Sequence, residues 1–372
     1  MKKRLRVALV FGGRSGEHEV SVISARSVAA YLDRARFELV PMAIDRAGRW
    51  ADAATAAALL AAPGATPDTV PAFTGSTLLD ERLVAGGVDV VLPVLHGPFG
   101  EDGTIQGLCE VLDLPYVGSG VTASGVVMDK VLTKRLLREA GLLSPEFVAI
   151  AARAWAEEDA QCQARCLNLR LPLFVKPARL GSSVGITKVK SGITLRAAIE
   201  AALAFDDVVI VEEGIEAREI EVAVLGGEPP FASLPGEVVP GHEFYDYADK
   251  YLDDHCQLLA PAPLGEEQVG EARRLAVAAF TTLGCEGMAR VDFLLEGSTG
   301  RFFLNELNTI PGFTSISMYP RLMALSGVPY DQLLSRLVDL ALERHARRRR
   351  FAEAALLPLD KRARGAADTP SR

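Results

Sequence analysis

The chain is poor in cysteine. Cys109, Cys162, Cys166, Cys256 and Cys285 are odd in number and form no C-x-x-C. That pattern argues against a disulfide framework and a zinc site, and for a reducing cytoplasmic setting. No apolar run approaches the roughly 18 residues needed to cross a bilayer, so no membrane partner is expected. The basic start Met1-Lys2-Lys3-Arg4 precedes an apolar run that ends at Gly12-Gly13-Arg14, too short for a signal peptide and better read as a first strand. There is no surplus of positive charge: the formal net charge is −8, which gives nucleic acid nothing to hold. Two nucleotide fingerprints are missing as well. Phe11 stands where the first glycine of G-x-G-x-x-G belongs, and no Gly-Lys-Ser/Thr follows the glycines near Lys176. No internal repeat is present.

What remains is an ordinary folded chain. With 372 residues, 49% hydrophobic and 24% charged, it has length for two or three domains with real cores. Arg6–Phe11, a glycine loop, a helical stretch from Glu17 to Leu32 and a strand over Phe37–Ala43 predict a βαβ opening. Val88–Leu95 reads as a buried strand, followed by the loop His96–Gly103 and a helix through Leu112. The alanine-rich 51–62 and the Pro/Gly/Thr stretch to Gly75 look like a peripheral insertion. A helix is predicted over Met128–Ala140, strands over Leu171–Lys176, Val208–Val211 and Glu219–Val224, and helices over Glu266–Leu283 and Pro329–Arg350. Pro235–Pro263 is long, irregular and rich in aromatics, a length usually reserved for function or disorder. Arg347–Arg350 and the tail to Arg372 read as frayed and solvent-exposed.

The chemistry concentrates near the end. Residues two apart on a strand share a face, so Glu306 and Asn308 point together, as do Arg290 and Asp292. Gly297-Ser298-Thr299-Gly300 supplies a turn, and a hairpin closing there brings Asp292 to within about one residue of Glu306. Three oxygen donors beside one guanidinium suit Mg²⁺, which takes its other ligands from water and phosphate. A solvated hairpin face fits the same pattern. Upstream, Lys176 with Gly181-Ser182-Ser183-Val184-Gly185 joins an ammonium to a loop whose backbone N–H groups can approach phosphate oxygens. A plain turn after a strand fits it too.

Four segments taken in order carry a resemblance: Gly12–Ser21, Leu95–Gly103, Lys176-Pro177 with Gly181–Gly185, and Asn305–Ser317. Together, over about Arg6 to Leu342, they resemble D-alanine–D-alanine ligase, of the ATP-grasp family. The resemblance implies an α/β protein, α+β in its nucleotide-binding part, with an ATP-grasp fold preceded by a Rossmann-like domain. The expected domains are 1–125, 126–213 and 214–350 with a substrate lid at 235–259, then a disordered tail at 351–372. It implies that ATP phosphorylates the carboxylate of one D-alanine and that the amine of a second attacks the acyl phosphate, assisted by two Mg²⁺ (or Mn²⁺) ions. Lys130, Lys176 and Lys250 are then phosphate contacts, and Asp292, Glu306 and Asn308 the metal ligands. Arg290 and the backbone N–H of Gly312 become the oxyanion site. Glu212, Glu213 and Ile215 fall on the adenine segment and Glu219 on the ribose, with Ser182 and Ser183 in the phosphate loop. Glu17 is expected to hold the first ammonium and to join Ser182 and Tyr251 in a triad that pins the lid. His96 and Glu101 line the same pocket, and Ser317 and the backbone of Met318 hold the second carboxylate. A homodimer is implied by the same analogy. Open alternatives are a ligase taking D-lactate or D-serine second, another ATP-grasp carboxylate-amine ligase, and a nucleotide-binding module without turnover.

Overall fold

The structure, a computed structural model, describes residues 3–61, 79–181, 184–239, 257–314 and 316–356. Strands β1 (Leu5–Gly12), β2 (Phe37–Ile44) and β3 (Val90–Val94) pair in parallel in the order β2-β1-β3. Covered on both faces, β1 and β3 are buried over most of their length, which is why they read as unbroken apolar runs. The helix His18–Tyr31 makes the crossover between β1 and β2 that parallel pairing requires. Gly12 ends β1 at φ +90°, and a Cβ there would stand 2.2 Å from the Ile44 carbonyl oxygen, so only glycine lets the chain leave the sheet at this point.

A second sheet is antiparallel, with β4 (Phe147–Ala151), β5 (Leu173–Pro177), β6 (Thr187–Val189) and β7 (Val208–Glu213) in the order β4-β7-β5-β6. Only residues 214–216 separate it from the third. There β8 (Ala217–Leu225), β9 (Phe231–Ala232), β10 (Gly236–Val239), β11 (Gln257–Leu259), β12 (Met288–Glu296) and β13 (Phe302–Asn308) form the path β11-β10-β8-β12-β13, with β9 also on β8. The whole is a mixed helix and strand architecture of the α/β class.

The helix predicted over Met128–Ala140 is found as Lys130–Glu139, and a separate helix, Val121–Met128, precedes it and stops at Asp129. Asp129 adopts an extended conformation, and its carboxylate accepts from the N–H groups of Val131 and Leu132 at 2.9 and 3.0 Å, so it starts the second helix as an N-cap. Arg347–Arg350 are not frayed. They lie within the last helix, Tyr330–Leu356, where Arg348–Arg350 are solvent-exposed as expected, and three of the four reach acidic groups of other elements: Arg347 meets Glu286 at 2.7 Å, Arg348 pairs with Glu110, and Arg349 lies 3.7 Å from Asp113. The helix also runs past the Arg350 end that the charge pattern suggested. Its buried face, Leu333, Leu334, Leu337 and Val338, shares one core with Val7, Leu9 and Phe11 of β1, so the end of the chain covers the first sheet. Arg344 fastens this contact by donating to the carbonyls of Gly118 and Tyr116 while lying 4.0 Å over the Tyr116 ring.

Candidate active site

The β12–β13 hairpin places Arg290 opposite Asn308 and Asp292 directly opposite Glu306, with the register shifting just beyond Asp292. Arg290 forks onto Asp292, Nε to Oδ1 at 2.8 Å and Nη2 to Oδ2 at 2.6 Å, in the planar geometry that guanidinium and carboxylate share. On the other side β8 brings Glu221 opposite Asp292, and its Oε1 lies 3.2 Å from Arg290 Nε. Burial opposes the charge on Arg290, but Asp292, Glu221 and Glu306 outweigh it and hold the guanidinium well above its ordinary value. Asn308 Nδ2 completes the group, donating to Asp292 Oδ2 at 3.3 Å.

Ammonium groups enter from two elements. The cap at Asp129 sets Lys130 and Lys134 one turn apart on the same helix face. Lys130 Nζ donates to the Leu180 carbonyl at 2.6 Å and stands 3.7 Å from Glu306 Oε2. Lys134 Nζ donates to the Asn305 carbonyl at 3.2 Å and lies 2.9 Å from Glu212 Oε1. From β5, Lys176 donates to Glu212 Oε2 at 2.7 Å. Burial alone would raise Glu212, but Lys134 and Lys176 reverse this and hold its carboxyl down to about 2. Glu213 ends β7, with its N–H on the Glu146 carbonyl, and Ile215 lies in the 214–216 turn. Glu219 stands on β8 opposite Leu294 of β12.

The loops at the ends of β1 and β3 form the opposite wall. Glu17 precedes the helix His18–Tyr31 without capping it through its side chain. Its carboxylate instead abuts two glycines: a Cβ on Gly97 would meet Oε2 at 2.9 Å, and one on Gly181 at 3.3 Å. Glu101 accepts from the Gly97 N–H at 2.9 Å, and burial together with the nearby Glu17 pushes it up to about 8. His96 is buried, and both ring nitrogens are engaged. The Ile310 carbonyl, 2.9 Å from Nδ1, can only accept, so Nδ1 carries the proton and Nε2 accepts from the Ser24 hydroxyl at 3.1 Å. Ser24 Oγ in turn accepts from the Phe313 N–H at 3.2 Å. Burial lowers His96 against the pull of Glu17, in keeping with a neutral ring. His96 thus fastens the segment that carries Gly312. A Cβ on Gly312 would stand 2.8 Å from Ser317 Oγ, which accepts from the Thr314 N–H at 3.0 Å. Ser317 stands at the N-cap of the helix Met318–Leu325, whose first N–H groups have no partner within the helix.

Most of the residues named from sequence therefore meet between these two walls. Ser182, Ser183, Lys250 and Tyr251 lie outside the described residues, as does most of the expected lid. Three participants escaped sequence reading: Lys134, Glu221 and Ser24. Glu221 was findable as the residue two after Glu219 on the same strand face, whereas Lys134 and Ser24 show their roles only through partners distant in the chain.

Comparison with known proteins identifies the family. The family models described as D-ala D-ala ligase N-terminus and D-ala D-ala ligase C-terminus match residues 6–119 and 136–339. A D-alanine–D-alanine ligase A of Bradyrhizobium diazoefficiens is 50% identical over 94% of this chain and 98% of its own, and a D-alanine–D-alanine ligase of Chloroherpeton thalassium is 46% identical over 92% and 98%. The solved D-alanine-D-alanine ligase of Coxiella burnetii superposes with a TM-score of 0.80 at 35% identity, covering 97% of this chain and 99% of its own. The VanG D-Ala:D-Ser ligase of Enterococcus faecalis gives 0.79 at 35% identity, covering 91% and 100%. With both halves matched by the family and full-length relatives near half identity, the chain belongs to the D-alanine–D-alanine ligase family.

Proposed function

We propose that this chain is an ATP-dependent ligase that joins two molecules of D-alanine through a D-alanyl phosphate, supplying the dipeptide for peptidoglycan precursors in the cytoplasm, and that it works as a homodimer. The observation that carries this reading is the β12–β13 register, with Asp292 opposite Glu306, Arg290 opposite Asn308, and the guanidinium clamped between Asp292 and Glu221.

Phosphoryl transfer needs mainly positioning and charge neutralisation. Lys130 and Lys176 take the phosphates, aided by Lys250 and the loop of Ser182 and Ser183. The Glu212-Glu213 strand end and Ile215 offer groups to the adenine edge, and the Glu219 carboxylate accepts the ribose hydroxyls. Among the described residues no three acidic, histidine or cysteine side chains stand together to hold an ion by themselves. Two carboxylates and an amide, Asp292, Glu306 and Asn308, do suit a hard cation that completes its shell with phosphate oxygens. Bound there, Mg²⁺ or Mn²⁺ neutralises the charge on the transferring group.

Glu17 receives the ammonium of the first D-alanine beside Glu101 and the neutral His96. Tyr251, with Ser182, closes the lid over the acyl phosphate and keeps water from it. Ser317 and the Met318 N–H, at a helix N-terminus, hold the second carboxylate. Arg290 and the Gly312 N–H then receive the oxyanion as the second amine attacks. The test is phosphate release from ATP with and without D-alanine, with D-serine and D-lactate offered as second substrates and products identified by mass. D-alanine-dependent release with the dipeptide as chief product is expected. Release indifferent to D-alanine overturns the reading.

A further inference from the structure

The helix Lys130–Glu139 carries a second lysine into the site, and nothing in the reaction outlined above uses it. Lys134 is 1% exposed, too deep to touch a nucleotide itself, whereas the Lys176 side chain keeps 13% exposure. Between them lies Glu212, 2% exposed, with each carboxylate oxygen facing a different ammonium: Oε2 accepts from Lys176 at 2.7 Å, and Oε1 lies 2.9 Å from Lys134. The Lys134 ammonium also donates to the carbonyl of Asn305, the residue before Glu306.

We infer that Lys134 is a positioning residue for nucleotide binding: it keeps Glu212 neutralised so that the Lys176 ammonium is free to leave that carboxylate for a phosphate. The inference rests on the proposed assignment of Lys176 to the phosphates. A buried carboxylate left without a counterion is strongly unfavourable, so one lysine cannot serve both Glu212 and an incoming phosphate. Two lysines can. With Lys134 fixed, the departure of Lys176 leaves Glu212 paired. Without it, Lys176 is bound to Glu212 and the nucleotide loses a contact. Because Lys134 also holds the strand of Glu306 through Asn305, its own position is set from both sides.

The test is Lys134→Met in the full chain, alone and with Glu212→Gln, scored by the KM for ATP, the KM for D-alanine and the melting temperature. Alone, the substitution is expected to raise the KM for ATP about 10–100-fold, the range typical of residues that orient a contacting group, and to leave that for D-alanine unchanged. In the Glu212→Gln background the same substitution is expected to add nothing, because no carboxylate then competes for Lys176. An unchanged KM for ATP, a parallel rise in both KM values, or an equal rise in the two backgrounds overturns the inference. Should Lys134→Met fail to fold, Glu212→Gln is compared with the double variant, which buries no unpaired charge: equal KM values for ATP support the inference and a higher value in the double variant overturns it. Lys176→Met is measured alongside. If that variant binds ATP normally, the phosphate assignment fails and the inference with it; if it binds poorly, a negative result at Lys134 counts against Lys134 alone.

Discussion

Replacing Arg290 with lysine keeps the charge and removes the fork. The guanidinium now makes three close polar contacts, at 2.8 and 2.6 Å to Asp292 and 3.2 Å to Glu221. An ammonium on a shorter-reaching stem is a single point and keeps one of them at full strength. Loss of two charge-assisted hydrogen bonds, at about 1.5–3 kcal/mol each, sums to about 3–6 kcal/mol. The positive charge that lysine retains still offsets Asp292 and Glu221 through space, so about 3 kcal/mol of lost stability is expected. Urea unfolding followed by circular dichroism reads this as a lower midpoint at unchanged slope. Turnover, read as ADP release with D-alanine, is expected to fall about 10²–10³-fold, because the preorganised oxyanion donor is misplaced. A variant within about 0.5 kcal/mol of the parent, the range of ordinary surface substitutions, and turning over normally would refute the clamp as the centre of the site.

Glu306→Gln is expected to abolish ligation with an unchanged melting temperature, exceeding the roughly 10–100-fold loss typical one layer further from the metal; normal turnover by purified variant refutes the metal assignment. Glu101 gives a pH signature. Its folded-state value is about 8 against an ordinary 4.5, so between those values the folded protein holds a proton that the unfolded chain has released, and stability declines as pH rises through that window. Urea midpoints across the window are expected to flatten in Glu101→Gln, and an unaltered slope refutes the assignment. Gly12→Ala puts a methyl 2.2 Å from the Ile44 carbonyl oxygen at φ +90°, and a loss of more than about 1–3 kcal/mol is expected by the same unfolding assay; a neutral result refutes the tight exit from β1.

Much of this was legible in the chain. The hairpin is written in a period of two: Arg290 with Asp292 and Glu306 with Asn308, joined by a glycine turn, restrict the pairing to registers that face all four the same way. The opening strand and helix were likewise visible, because burial on both faces leaves an unbroken apolar run and the crossover leaves a helical one. What was hidden depends on partners far along the chain. Lys134 reads as a surface lysine until β7 brings Glu212 to it. The helix that ends at Met128 was hidden because its residues, Val121 to Met128, show no clear apolar stripe, whereas Asp129, which accepts from the N–H groups of Val131 and Leu132, marks the start of the helix that was visible. The arginine run from 347 to 350 resembles a solvated tail until Glu110, Asp113 and Glu286 are placed beside it. His96, before a glycine, gives no sign that both its nitrogens are taken up in fastening the chain near Gly312.

The helix Tyr330–Leu356 has a consequence for how the molecule is made. Leu333, Leu337 and Val338 share one core with Val7, Leu9 and Phe11 of β1 and with Val22, Ala25 and Val28 of the crossover helix, so early in synthesis the opening sheet has an oily face that its own helix covers only in part. That face stays open through synthesis of the two later sheets and is sealed only when nearly the whole polypeptide has emerged. A premature stop anywhere before residue 330 therefore leaves no protected first half, only a product exposed to aggregation and proteolysis.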